Sequence, residues 1–423
     1  MSTSLRRYLA IAAVVLLIIA AWAFLRPDYS TGDMDVSSSG ANIERGKYLA
    51  LAGNCASCHT TASGEFMAGG LAFETPFGTI YSTNITPDAA TGIGDWTATD
   101  FLNSMRHGVR PDGEHLYPVF PYTAFTKVTD EDVAAIFAYL QSIPAVLQAA
   151  PENDIAFPFN IRSLMAIWKT LFFDAGAYVA DESRPADWNR GAYVVEALAH
   201  CGACHSPRNY LGAEQAGMAM SGGVYADKVP NGTVRPWSAP NLTGAPNGLG
   251  MWPHEEVTAY LQNGINSYVE TFGPMNEVII NSTRHLSDDD VSSMAVYLKS
   301  LPASETDRGT VAKDQVLGMG RTLYNLHCGT CHLPTGLGGE ESAPRLGGGS
   351  LVVQASNPAS LINVILDGPE LPDPPLPTKR RKPMESFRYL LDDDEIAALA
   401  SFLRSSWDNT GGEVTAEQVR AQR

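Results

Sequence analysis

At 423 residues the chain is too long for one ordinary core and suits about three domains of roughly 100 to 150 residues each. Hydrophobic residues at 44% and charged residues at 18% exclude a disordered or fibrous chain, while 38 Gly and 27 Pro announce loop-rich structure. A net charge of −17 argues against nucleic acid or an anionic lipid surface as a partner.

The chain opens with Arg6 and Arg7, then an apolar run over residues 8–25, then Arg26 and Pro27. Such a run is long for a secretory core, usually about 7 to 15 residues, and short among spanning helices, about 17 to 25. The basic residues ahead of it direct the downstream chain across the membrane. Residues 1–28 therefore read as an amino-terminal transmembrane anchor, with a cleaved signal peptide as the rival because Ala21-Trp22-Ala23 suits signal peptidase. Either way the body is exported from a bacterial cytoplasm, and residues 30–40, rich in Ser, Gly and Asp, read as a tether.

Three units come next, expected at residues 41–150, 187–303 and 314–409, with a connector at 151–186 and a polar tail at 410–423. Each unit opens with a short apolar helix: Arg45-Gly46-Lys47-Tyr48, Arg190-Gly191-Ala192-Tyr193 and Gly320-Arg321-Thr322-Leu323-Tyr324. Each closes with a helix announced by acidic residues, at Thr129–Asp132, Ser287–Asp290 and Asp392–Glu395, where negative charge suits the helix dipole. The apolar faces are Val133, Ile136, Phe137 and Leu140; Val291, Met294, Ala295 and Leu298; and Ile396, Leu399, Ala400 and Leu403. The connector carries an apolar stretch, residues 161–173, read as a helix packed between the first two units or as a surface for a partner or membrane.

Cysteine use decides the chemistry. The six cysteines occur only as Cys55-Ala-Ser-Cys58-His59, Cys201-Gly-Ala-Cys204-His205 and Cys328-Gly-Thr-Cys331-His332, so none remains for a structural disulfide. Thiols three residues apart share one face of a helical turn and reach the two vinyl groups of one haem, while the adjacent His binds the iron. Zinc would need its ligands in fours, and a redox dithiol explains neither the His nor the triplication. The pattern therefore predicts three covalently bound haems c, with His59, His205 and His332 as axial ligands. The architecture expected is all-α, three tandem cytochrome c domains behind the anchor.

A Met sulfur as second axial ligand raises a haem's potential. Met275 in Gly273-Pro274-Met275 and Met384 in Lys382-Pro383-Met384 stand at matched places before their closing helices. The first unit has Phe120 there, which offers iron no atom. His115 is the candidate for that haem, with Met105, His107 or an open position as alternatives.

These residues resemble the three-haem cytochrome c subunits of membrane-bound periplasmic dehydrogenases. The resemblance runs over nearly the whole chain and is carried by residues 74–86, 200–208, Phe272-Gly-Pro-Met275 and Phe402-Leu-Arg-Ser-Ser-Trp407. It implies a large catalytic subunit of pyrroloquinoline quinone, flavin or molybdopterin type, and electrons passed to ubiquinone or a terminal oxidase. The alcohol dehydrogenase branch has Met at Phe120, whereas the stretch from His115 to Tyr122 is more similar to cytochromes paired with molybdenum hydroxylases. The rival is a stand-alone peroxidase-like enzyme working at an open first haem. The sequence shows no dinucleotide fingerprint and no propeller repeat that would mark a substrate-oxidising cofactor.

Overall fold

Each unit is built on one pair of helices, its first and its last: Gly40–Ala52 with Asp130–Ser142, Ala186–Tyr193 with Asp288–Ser300, and Asp314–His327 with Asp393–Arg404. The repeated glycine explains the pairing. A Cβ on Gly46 would stand 1.9 Å from the Ala135 carbonyl oxygen, on Gly191 1.9 Å from that of Ser293, and on Gly320 2.1 Å from that of Ala398. Only glycine lets the two backbones cross so closely. The closing helices are capped as expected: the Thr129 and Ser287 hydroxyls and the Asp392 carboxylate accept the N–H of Asp132, Asp290 and Glu395 at 3.3, 3.2 and 2.9 Å. Their predicted apolar faces are all buried.

This computed structural model describes residues 29–30, 32, 34, 36–228, 233–304, 309–369, 376, 381 and 383–423. The expected anchor or signal segment, residues 1–28, lies outside the described residues. Among the described residues no helix is long and apolar enough to cross a membrane.

The all-α expectation is corrected by two small sheets. Ala72–Thr75 pairs antiparallel with Gly78–Tyr81, and Asp154–Ile155 adds a third strand from the connector. In the second unit Gly223–Lys228 pairs with Val234–Ala239. These hairpins occupy the loops after the first two Cys-x-x-Cys-His motifs and are too short for a periodic signal. The end of the chain, expected as a polar tail, carries the capped helix Ala416–Gln422 with Val419 fully buried against the third unit.

The first two units share one core, whereas the third has its own. Their joint is reciprocal. Arg45 pairs with Asp132 of its own unit, and Tyr193 of the second unit donates its hydroxyl to that carboxylate at 2.6 Å. Conversely, Arg190 grips Asp290 at 2.6 and 2.7 Å, and Tyr48 of the first unit donates to Asp290 at 2.5 Å. The third unit breaks the exchange, because the Tyr324 hydroxyl goes to the Leu333 carbonyl inside its own unit.

The joint between units two and three uses other surfaces. Hairpin Gly223–Lys228/Val234–Ala239 rests on helix Ala359–Asp367 through Arg235 to Asp367 at 2.7 Å, Ser238 N–H to Ser360 at 2.8 Å and Asn363 to the Pro236 carbonyl at 2.9 Å. Trp252 adds a hydrogen bond to the Gly349 carbonyl at 2.8 Å.

Candidate haem sites

The motif cysteines lie on short helical turns, Cys55–His59, Gly202–His205 and Gly329–His332. Asn54 and His200, each just ahead of its first cysteine, take left-handed backbone conformations with φ of 51° and 39°, which turns the opening helix sharply into the motif. None of the six cysteines is in a disulfide. Burial pushes Cys55 and Cys201 up to about 12, and Cys58, Cys204 and Cys328 up to about 11. Among the described residues no cluster of three or more His, Cys, Asp or Glu is placed to hold a metal ion.

The three histidines share a signature. His59 Nδ1 faces the Thr83 carbonyl at 2.6 Å, His205 Nδ1 that of Pro240 at 2.8 Å, and His332 Nδ1 that of Pro344 at 2.8 Å. A carbonyl can only accept, so each Nδ1 carries the proton and each Nε2 keeps its lone pair for iron. Burial lowers all three imidazoles, which keeps them neutral and ligand-ready.

The accepting carbonyls were not singled out from sequence, yet two of them carry a mark. The residue after each is an Asn that locks its turn: Asn84 accepts the Thr86 N–H at 2.9 Å, and Asn241 that of Thr243 at 2.8 Å. The repeat Asn-x-Thr was the available signal.

Met275 opens helix Met275–Asn281 and packs on the shared core, and Met384 packs on the core of the third unit. Phe120, half-buried, lies 5.3 Å from the Phe125 ring and bridges two apolar clusters. Met105 is buried in the shared core on helix Ala98–His107, and the His107 ring lies 6.1 Å from Tyr29.

His115 differs from the motif histidines. The buried Lys169 amine donates to the His107 and Gly108 carbonyls at 2.6 and 2.7 Å and reaches His115 Nδ1 at 3.0 Å. In its charged form Lys169 donates all three N–H, so that His115 Nδ1 accepts and the His115 proton sits on Nε2, the opposite tautomer to the other three. Burial, with the charge of Lys169 adding, pushes His115 down to about 4, and burial alone pushes Lys169 down to about 7.

The first two sites adjoin. Asn281 of the second unit donates to the Ser57 hydroxyl at 2.9 Å inside the first motif, and Cys204 lies close enough to Cys58 to add to the burial that raises the proton affinity of the Cys58 thiol. The site residues thus fit covalent haem: two cysteines three residues apart on one turn, and a His whose Nδ1 is held by a backbone carbonyl and whose Nε2 is free.

Comparison with known proteins places the chain. The cytochrome c family model matches residues 43–144 and 319–407. A nicotinate dehydrogenase subunit of Pseudomonas putida is 41% identical over 380 residues, covering 87% of this chain, which spans only 30% of that protein. The fructose dehydrogenase cytochrome subunit of Gluconobacter japonicus is 36% identical, with 90% of this chain and 82% of that one aligned. The gluconate 2-dehydrogenase cytochrome c subunit of Pantoea cypripedii is also 36% identical, with 92% and 91% aligned.

Proposed function

The chain belongs to the cytochrome c subunits of dehydrogenases, electron carriers whose catalysis lies in another subunit, and on that premise we propose a three-haem relay from a periplasmic catalytic subunit to ubiquinone or a terminal oxidase. The observation that carries the count of three is the repeated geometry of the histidines. Each motif sets Nδ1 on a backbone carbonyl beside two free cysteines.

In this reading Cys55 and Cys58, Cys201 and Cys204, and Cys328 and Cys331 hold the haems covalently, and His59, His205 and His332 bind the irons. Haem supplies the reversible one-electron step; the chain fixes potentials and spacing. Met275 and Met384 are the second ligands of haems two and three. His115 is the candidate for haem one, and its tautomer sets a condition: Nε2 can bind iron only when the Lys169 hydrogen bond breaks or reverses. Residues 8–25 hold the protein to the outer face of the cytoplasmic membrane, with the haem units in the periplasm.

Among partners, a molybdenum hydroxylase is favoured by the resemblance of the stretch from His115 to Tyr122, with Phe120 in place of Met, and the 41% identity to a nicotinate dehydrogenase subunit favours a partner of nicotinate dehydrogenase type. The test is gentle extraction of the tagged protein from native membranes. A co-purifying large subunit with molybdopterin is the expected result. A flavin or pyrroloquinoline quinone subunit would move the partner within the family, and a chain recovered alone with fast peroxide turnover would overturn the relay.

A further inference from the structure

The connector helix Leu164–Phe172 has two unlike faces. Inward, Trp168 donates to the Leu211 carbonyl of the second unit at 2.9 Å, and Lys169 caps the carbonyls that end helix Ala98–His107. Outward, Leu164, Ile167 and Leu171 are 36, 48 and 64% exposed at i, i+3 and i+7, one stripe of the helix. The loop before it adds Phe157 at 79% and Ile161 at 41%. Within Leu164–Phe172 the one ionisable side chain, Lys169, is turned inward and buried, and Arg162 just ahead of the helix is paired with Glu114 at 3.3 Å. Contiguous exposed apolar surface of this kind marks an interaction site.

The path of the incoming chain indicates the occupant of this face. The described residues Tyr29, Ser30, Gly32 and Met34 meet helix Ala98–His107 in turn: Met34 N–H to Thr99 at 3.2 Å, Thr99 to the Gly32 carbonyl at 2.6 Å, Ser30 N–H to Asn103 at 3.0 Å, and Tyr29 beside His107. Tyr29 therefore arrives at the helix end on which Lys169 rests. The apolar run ends at Leu25. Four steps of chain reach on the order of 15 Å at full stretch, so a bilayer holding residues 8–25 passes close beside the connector helix.

We propose that helix Leu164–Phe172 lies in the bilayer surface, with Leu164, Ile167 and Leu171 seated in zwitterionic lipid. An interfacial helix of this type buries its apolar face about 5–10 Å into the headgroup boundary. The net charge of −17 makes the contact apolar, not an attraction to anionic headgroups. The inference rests on residues 8–25 being retained as an anchor.

The experiment uses the full-length, haem-loaded chain in phosphatidylcholine vesicles containing phosphatidylcholine with a diazirine on its acyl chain. After illumination, label is expected on peptides spanning 157–171 as well as on 8–25. The Ile167→Asp/Leu171→Asp double variant should lose the label at 157–171 while keeping it at 8–25, with an unchanged haem spectrum as the folding control. Absence of label from 157–171 in the wild type overturns the proposal whatever happens at the amino terminus, and assigns the face to the catalytic subunit. Label at 157–171 on wild-type chain that proves to have lost residues 1–28 by cleavage supports the helix and overturns the anchor.

Discussion

Asp290 receives hydrogen bonds from both sides of the joint between the first two units, two from Arg190 and one from Tyr48. Burial works to raise its proton affinity, but these bonds and the Arg190 charge outweigh it and hold the carboxyl below its ordinary value. Its stabilising effect is therefore complete above about pH 4, the ordinary Asp value, and is lost as pH falls through the folded value. Tyr48 and Tyr193 are shifted the other way, raised by burial and by the carboxylates they face. Their effect is complete below about pH 10 and is lost as pH rises above it. Thermal unfolding followed against pH should thus show falling stability at both ends, and Tyr193→Phe should flatten the alkaline limb. At neutral pH the same substitution should cost about 1–3 kcal/mol, since the buried Asp132 loses a donor. The motif cysteines and histidines stand out in the sequence because covalent haem chemistry requires particular residue types at fixed spacing, whereas Met275 and Met384 as iron ligands are part of the proposal. The tyrosine exchange does not stand out, because nothing in the Arg-Gly-x-Tyr repeat says that its last residue bonds across to a different unit.

At the scale of elements, the glycine crossings give the sharpest expectation. Gly46→Ala or Gly191→Ala drives a methyl group into a backbone carbonyl that cannot swing aside, and should lower the unfolding midpoint of the shared core by at least the ~1–3 kcal/mol typical of overpacking. Gly320→Ala should loosen the third unit alone, read as selective loss of the redox signal of haem three. Lys169→Met leaves the His107 and Gly108 carbonyls without their donor, about 1–3 kcal/mol, and lets the His115 proton move to Nδ1. If His115 is the sixth ligand, electron paramagnetic resonance of this variant should show a stronger bis-histidine signal from haem one; an unchanged spectrum would remove His115 from the iron. Helix boundaries were readable from caps and the 3.6 period, down to the capped starts at Thr129, Ser287 and Asp392. The hairpins escaped notice because strands of four to six residues in Gly- and Pro-rich loops leave no periodic trace.

At the scale of the molecule, the second unit touches the first through the tyrosine exchange and the third through its hairpin. In the proposed three-haem reading, the haem of the second unit is then the middle one of the relay. Replacing Cys201 and Cys204 with Ser should leave two haems per chain by pyridine haemochrome analysis and should uncouple the outer two, measured as loss of rapid equilibration after one is photoreduced. Chain length and the triplicated motif lead to the expectation of three units, whereas the unequal joints could not be read from three similar repeats.

The two joints also differ in symmetry. Units one and two trade the same contact in both directions, the rule obeyed by two identical subunits facing each other across a twofold axis. Units two and three meet through unlike surfaces, a head-to-tail association. A pair closed on itself has no room for another copy at that surface, so the third unit joins the second through a hairpin outside it.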